Sequence, residues 1–207
     1  ENISLLGLFS RRFQMPVAVT GVGSAKVSVE GPFALGKLSY DLEANLIRGS
    51  VVGESFDRLD LNLHSQSGEM VVKKATMTKA QNSIDVTGVG HPNGNIVLKI
   101  LGRKLALEES ENVSKLGSLI SGLIDVETNL SGFILNPDIQ IKGKIYQLNI
   151  EERDFADSQF QLELDNQSLV GTTNLFNNQL VTNFRFPMKE NGDFNLSVKA
   201  QKWNYTT

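Results

Sequence analysis

The chain has 207 residues, of which 40% are hydrophobic and 21% charged, with a formal net charge of -3. This composition excludes a disordered tail and a general polyanion binder, so nucleic acid is not an expected partner. Cysteine is absent, which excludes disulfides and thiolate metal sites but assigns no redox compartment. No apolar run approaches the roughly 20 residues of a membrane-spanning helix. Because the chain begins at Glu1 without Met or a signal peptide, we expect a piece of a longer or processed protein.

The first half opens with an apolar cluster and continues as alternating strands. Residues 3–9, followed by Arg11 and Arg12, predict a short amphipathic helix that stops before Pro16. Apolar and polar residues then alternate, which predicts antiparallel strands with one apolar face. Asn93 and Gly94 predict a hairpin turn before the last of these strands. The predicted strands are 21–31 with Val27 and Val29 inward, 38–46, 56–64, 70–77 with a bulge at Lys73 and Lys74, 84–86 and 96–100.

The second half starts with the segment that breaks this alternation. Residues 107–123 predict a helix, because apolar residues recur at spacings of three and four after Ser110, a candidate N-cap. Residues 122–145 then predict a long hairpin, around which the rest of the chain is organised. Its first strand is expected to end at Gly132, its turn to contain Asn136 and Pro137, and Gly143 to occupy an apolar position. Further strands are predicted at 160–164, 180–186, 194–198 and 203–207.

The two halves of the sequence resemble each other. FDRLDLNLHSQSGEMVV from Phe56 matches FADSQFQLELDNQSLVG from Phe155, and PNGNIVLKI from Pro92 matches ENGDFNLSVKA from Glu190, each pair about 100 residues apart. This self-similarity predicts two tandem repeats, 1–106 and 107–207, each with a short helix and a β-meander. We expect the sheet to run continuously from one repeat into the other.

Both copies resemble the repeats of the TamB and AsmA-like proteins of the Gram-negative envelope. The resemblance lies in GLIDV at 122–126, LSG at 130–132, NPDIQIKGKI at 136–145 and FDRLDLNL at 56–63. It implies an elongated, curled, taco-like antiparallel sheet with an open hydrophobic groove. It also implies a periplasmic segment of an inner-membrane-anchored protein, with the anchor in a missing N-terminal part, that conducts phospholipid between the inner and outer membranes. An Omp85-type outer-membrane barrel protein or nascent outer-membrane proteins are the further partners that it implies.

The ionisable residues do not form a recognisable reactive site, so we predict neither an enzyme nor a metal site or cofactor. His64 and His91 fall on a polar strand face and in a turn, where a solvated histidine is expected. Asp57 with Asp60, and Glu108 with its acidic neighbours, fit neither a glycosidase pair nor a calcium loop. Three lysines, at 73, 74 and 79, are interpreted as protection of an edge strand against aggregation.

The functional prediction therefore rests on the apolar strand faces, along which acyl chains are expected to lie and slide. Each CH₂ group withdrawn from water contributes about 0.8 kcal/mol, so exposing both chains of a lipid costs well over 10 kcal/mol. The alternative is a closed β-sandwich that acts as an interaction module or holds outer-membrane protein strands, because both architectures have the same alternation. The predicted groove-lining residues are Leu59, Leu61, Leu63, Ile96, Leu98, Ile100, Ile124, Val126, Leu130, Ile139, Ile141, Phe160, Leu162, Leu164, Phe184, Phe186, Phe194, Leu196 and Val198.

Overall fold

The protein is all-β in the part that the computed structural model describes, which is residues 19–31, 39–51, 53–164, 168–188 and 194–201. Thirteen strands form one antiparallel sheet that is not closed, which confirms the predicted fold class. The strands are β1 (Val19–Glu30), β2 (Ser39–Val51), β3 (Glu54–Gln66), β4 (Glu69–Lys79), β5 (Asn82–Gly90), β6 (Asn95–Ala106), β7 (Ile120–Phe133), β8 (Asn136–Ile150), β9 (Arg153–Phe155), β10 (Ser158–Leu164), β11 (Ser168–Leu175), β12 (Leu180–Pro187) and β13 (Asn195–Ala200). The predicted helix at 3–9 and strand at 203–207 lie outside the described residues.

The sheet is a meander in which neighbouring strands follow one another in the sequence, with β9 pairing beside β8. The chain divides into two compact units. The first comprises Glu1–Lys99 and Ser131–Pro137, and the second comprises Ile100–Leu130 and Asp138–Thr207. The predicted repeat boundary at residue 107 rests on the likeness between the two halves of the sequence and stays a prediction.

Strand register in the first unit follows the predicted alternation. Leu42 lies opposite Leu63, and Leu46 lies opposite Leu59, so the apolar residues of β2 and β3 share one face. The predicted bulge is confirmed, because the pairing of β4 with both β3 and β5 shifts register around Lys73 and Lys74. An extra residue there absorbs the break in alternation while the apolar residues on either side keep their face.

One of two predictions about the strands of the first unit is wrong. Val27 and Val29 lie opposite Leu42 and Tyr40, on the side of the sheet that carries Leu42, as predicted, although their side chains are 45% and 58% exposed. Among the described residues β1 pairs only with β2, so each valine has neighbours on one side. The lysines of β4 do not protect an edge, because β4 pairs with β3 and β5; Lys73 instead lies 3.4 Å from the Asp41 carboxylate.

The long helix predicted at 107–123 is also wrong. The segment contains a 3-10 turn at Leu107–Glu109 and a four-residue helix, α1 (Glu111–Ser114), and strand β7 begins at Ile120. Ser110 does cap α1 as predicted, with its Oγ accepting a hydrogen bond from the Val113 backbone N–H at 3.2 Å. Gly117, three residues after the helix, has a φ of +76°, a left-handed conformation that glycine adopts readily and that does not continue a helix.

The central hairpin forms, but its turn differs from the prediction. Strand β7 continues through Gly132 to Phe133, the turn consists of Ile134 and Leu135, and Asn136 and Pro137 open β8. Proline is tolerated at the start of a strand, where its missing N–H breaks no ladder bond. The turn therefore carries two apolar residues instead of the predicted Asn-Pro pair.

Candidate functional site

The first unit carries an apolar face that spans β2 to β5. Ala44 and Leu61 lie opposite each other, Leu61 lies opposite Ala75, and Ala75 lies opposite Val86. Residues that pair across neighbouring strands project from the same side of a sheet, so these four side chains form one row. Further members of this face, by the same register, are Leu42, Leu46, Leu59, Leu63, Val72, Met77 and Ile84.

The start of β6 extends this face within the first unit. A Cβ atom built on Gly88 would lie 2.8 Å from Leu98 Cδ2, and one on Gly90 would lie 3.9 Å from Ile96 Cγ2. The side chains of Leu98 and Ile96 therefore lie over Gly88 and Gly90 of β5. Ile96 is 8% exposed, which makes it one of the few buried apolar residues of the described chain.

The second unit carries a corresponding apolar face across β8 and β10 to β13. Ile141 lies opposite Leu162, Leu162 opposite Gly171, Gly171 opposite Phe184, and Phe184 opposite Leu196. The row on one side of it pairs Ile139, Leu164, Leu169 and Phe186, and the row on the other side pairs Gly143, Phe160, Thr173, Thr182 and Val198. The pattern is apolar apart from two threonines, whose hydroxyl groups contact each other at 2.6 Å.

Phenylalanine rings cover glycines of the neighbouring strand in both units. A Cβ atom at Gly143 would overlap the Phe160 ring, and one at Gly171 would overlap the Phe184 ring. In the first unit the Phe56 ring occupies the same position above Gly49, and Phe56 is only 2% exposed. Because glycine has no side chain, each ring can pack directly on the backbone of the neighbouring strand.

Strand β7 and the end of β6 contribute the remaining predicted lining residues. Ile124, Val126 and Leu130 share one face of β7 by alternation. A Cβ atom at Gly102 would lie 3.1 Å from Val126 Cγ1, which places Val126 over β6. Ile100 precedes Gly102 by two residues and is half-buried on the same side of β6.

The predicted lining residues differ in exposure, and few of them are sealed. Leu63 and Ile96 are each 8% exposed, whereas Phe186, Phe194, Leu196 and Val198 are 42% to 57% exposed. The others are half-buried: Leu59, Leu61, Leu98, Ile100, Ile124, Val126, Leu130, Ile139, Ile141, Phe160, Leu162, Leu164 and Phe184. The apolar faces therefore remain accessible to solvent or to a ligand along most of the described strands.

An aromatic cluster lies at the end of the second unit's apolar face. The ring centroids of Phe184 and Phe186 are 5.1 Å apart, and those of Phe186 and Phe194 are 4.9 Å apart, with tilted planes. Such contacts stabilise aromatic pairs beyond the burial of their area. The three rings present a continuous hydrocarbon surface next to the exposed strand β13.

Residues of the opposite face form salt bridges and hydrogen bonds, some between neighbouring strands and some along one strand. Asp41 lies 2.9 Å from His64 Nδ1, and this hydrogen bond lowers the pKa of the Asp41 carboxyl. Arg58 donates to Asp60 at 2.7 Å, which lowers the pKa of Asp60. These are pairs of solvent-exposed side chains, which stabilise a fold only slightly.

A shallow cavity of about 270 Å³ lies in the second unit. Its charged lining residues include Arg103, Asp125 and Lys142. Asp125 accepts hydrogen bonds from the Lys104 backbone N–H at 2.7 Å and from the Tyr146 hydroxyl at 3.2 Å. The pKa of Tyr146 is raised, first by burial and then by this hydrogen bond. The Asp125 carboxylate is therefore engaged by groups on the two adjacent strands, β6 and β8.

The acidic residues considered as candidate reactive groups have local structural partners. Asp57 accepts a hydrogen bond from the Ala80 N–H at 2.7 Å, and Glu108 accepts one from the Gly122 N–H at 3.1 Å. No cluster of three His, Cys, Asp or Glu residues that could hold a metal ion occurs in the described ranges. Within the same ranges, no helix is long and apolar enough to cross a membrane.

The sequence identified the strands of the apolar face but missed the rings that cover its glycines. Glycine at an apolar position of an alternating strand, as at Gly143 and Gly171, is the signal that predicts a neighbouring ring. Comparisons with protein-family profiles, with curated proteins and with solved structures found no match for this chain. The likeness to TamB and AsmA-like repeats accordingly stays a prediction.

Proposed function

We propose that this chain is a segment of a periplasm-spanning AsmA/TamB-like protein whose apolar sheet face shields acyl chains and conducts phospholipid between the inner and outer membranes. One observation carries the proposal: the strands form a single open sheet, and in each unit one side of it carries apolar side chains that are only partly buried along most of the strands. A large exposed apolar surface marks a binding site in a soluble protein.

The chemistry of the face fits hydrocarbon better than a polar ligand. Its predicted lining residues are aliphatic or phenylalanine, and Gly143 and Gly171 leave room for the Phe160 and Phe184 rings to pack on the strands. Each CH₂ group that moves from water to such a face gains about 0.8 kcal/mol. Because the described side chains of the face are almost all apolar, with Thr173 and Thr182 as exceptions, binding there is expected to be tolerant of lipid type.

The cellular setting follows from the resemblance. It places the segment in the Gram-negative periplasm, with an inner-membrane anchor elsewhere in the parent protein and outer-membrane biogenesis as the process served. An Omp85-type barrel protein or nascent outer-membrane proteins are the proposed protein partners.

A second candidate is a module that holds unfolded outer-membrane strands by pairing with a sheet edge. The observation in its favour is β13, whose residues are all exposed and which, among the described residues, pairs only with β12. An extended peptide adds to such an edge through backbone hydrogen bonds. Peptide binding that survives a charge on the apolar face would favour this candidate.

Lipid content tests the main proposal. The chain purified from a bacterial host is extracted for mass spectrometry, and the delipidated protein is titrated with a fluorescent phospholipid. We expect bound phospholipid in the first experiment and uptake in the second. Absence of both results would contradict the proposal.

A matched pair of variants on β13 locates the binding. Leu196→Asp places a carboxylate on the apolar face at a side chain that is 52% exposed, so the fold should tolerate it. Ser197→Asp places the same charge on the next residue, which projects from the other side of the strand. Uptake should fall for Leu196→Asp and persist for Ser197→Asp.

A further inference from the structure

The turn between β7 and β8 exposes apolar side chains where turns usually carry Gly, Pro, Asn or Asp. Phe133 is 47% exposed and Leu135 is 56% exposed. The segment Ser131–Pro137 reads SGFILNP and contains no charged residue. Phe133 ends β7 and Leu135 lies in the turn itself, so two large apolar side chains meet water at this end of the hairpin.

The turn is held rigidly against the neighbouring hairpin of the same unit. The Ile134 backbone N–H donates to the Gly94 carbonyl at 2.9 Å, and the Phe133 ring lies over Gly94, which has a φ of +87°. The Phe133 ring therefore occupies space that any side chain at residue 94 would fill. These two contacts position the apolar turn beside the turn between β5 and β6.

The adjacent turn of the same unit also lacks charged residues. Residues 92–95, in the adjacent turn, read PNGN. Pro92 is exposed, and a Cβ atom on Gly68 in a third turn would lie 3.0 Å from Pro92 Cγ. Two exposed acidic residues flank these turns: Asp138, three residues after Leu135, and Glu69, whose carboxylate lies 3.3 Å from His91. We name Phe133, Leu135 and Pro92 together the apolar tip.

The apolar tip suits a lipid surface better than a protein partner. A stable protein interface buries about 800 Å² on each side, which two half-exposed side chains and a proline cannot supply. Insertion into a bilayer interface needs a smaller apolar surface, and an aromatic ring favours that boundary.

We propose that the apolar tip docks on the surface of a phospholipid bilayer, with Phe133 and Leu135 entering the boundary between headgroups and acyl chains. This docking is separate from the proposed binding of acyl chains along the sheet face. It requires only a membrane surface and the tip.

Co-sedimentation with vesicles of mixed phosphatidylethanolamine and phosphatidylglycerol tests the proposal. Leu135→Ser should weaken partitioning about three- to tenfold, because half of a leucine surface no longer leaves water. The matched control is Leu116→Ser, which removes a leucine that is 68% exposed in the connection between β6 and β7. That control should leave partitioning unchanged. Leu135 is preferred to Phe133 as the test position because the Phe133 ring covers Gly94.

Depth of insertion provides a second readout. In a Trp203→Phe background, which removes the only tryptophan of the chain, Leu135→Trp should show blue-shifted emission with vesicles and quenching by brominated acyl chains. The proposal is overturned if the wild type does not sediment with vesicles, or if Leu135→Ser and Leu116→Ser reduce partitioning equally. It is also overturned if sedimentation velocity shows a dimer that Leu135→Ser dissociates, since the tip would then bind a second copy. Leu196→Asp, which tests uptake of lipid by the sheet face, should not affect vesicle docking, so the two proposals fail independently.

Discussion

Leu162, in the middle of β10, distinguishes an open lipid-binding face from a sealed core. It is half-buried and lies opposite Ile141 on one side and Gly171 on the other. Full burial of a leucine side chain contributes about 1.5–3 kcal/mol. Loss of the half-buried Leu162 side chain should therefore lower the free energy of unfolding by about 1–2 kcal/mol, a value that includes a small cost for the space left behind. A carboxylate at this position can reach water, so Leu162→Asp should avoid the several kcal/mol that an unpaired buried charge costs.

Urea unfolding followed by circular dichroism measures the stability of Leu162→Asp, and titration with a fluorescent phospholipid measures its binding. We expect a folded variant with a modest loss of stability and a large loss of lipid uptake. Gln161→Asp is the control, because Gln161 is exposed and projects from the other face of the same strand. It should leave both properties nearly unchanged. If Leu162→Asp unfolds the protein and the wild type takes up no lipid, the open-face reasoning is refuted.

Three further predictions concern packing and pH. Phe56→Ala should lower the free energy of unfolding by about 3–5 kcal/mol in urea denaturation, because Phe56 is 2% exposed; a loss below about 1 kcal/mol would contradict its place in the core. Gly143→Ala should cost about 1–3 kcal/mol by displacing the Phe160 ring. In a double-mutant cycle with Phe160→Ala the two losses should be non-additive by more than about 0.5 kcal/mol, and additivity would mean that the ring does not cover the glycine. The lowered pKa of Asp41 means that its pairing with His64 contributes stability above the ordinary value of 3.8 and loses it as pH falls through the lowered pKa. Asp41→Asn should therefore show a weaker acid dependence of its melting temperature than the wild type, and identical acid profiles would refute the pairing.

The strands and their shared face could be predicted because alternation encodes them directly. Side chains of a strand project to opposite sides with a period of two, so Leu59, Leu61 and Leu63 had to share one face if that segment was extended. Their opposition to the leucines and alanine of β2 follows once the two segments form an antiparallel pair. The bulge at Lys73 and Lys74 was predictable for the same reason, since two successive charged residues interrupt that period.

The helix at 107–123 could not be excluded from spacing alone. Leu116 and Leu119 have helical spacing, yet they are 68% and 77% exposed and contact no core. Gly117 between them adopts a positive φ, and the backbone N–H of Gly122 bonds to the Glu108 carboxylate. Tertiary contacts therefore decided the conformation of a segment whose local pattern was helical.

The exposure of individual residues on the apolar face could not be predicted from the sequence, for a different reason. A buried Leu63 and a half-buried Leu61 occupy equivalent positions in the same alternating pattern. Alternation determines the side of the sheet to which a residue belongs, whereas its accessibility depends on what lies above that side. The turn of the central hairpin was mispredicted because Asn136 and Pro137 are typical turn residues, although here they begin a strand.

Site-specific photocrosslinking tests most directly whether acyl chains lie on the apolar face. A benzophenone amino acid is placed at Leu162 or Phe184 on this face, and at Gln161 or Asn183 on the opposite face of the same strands. After ultraviolet irradiation in cells, mass spectrometry measures covalent lipid adducts. We predict phospholipid adducts at Leu162 and Phe184 and none at Gln161 and Asn183. Equal labelling of both faces, or no lipid adduct at any of the four positions, would contradict the proposed function.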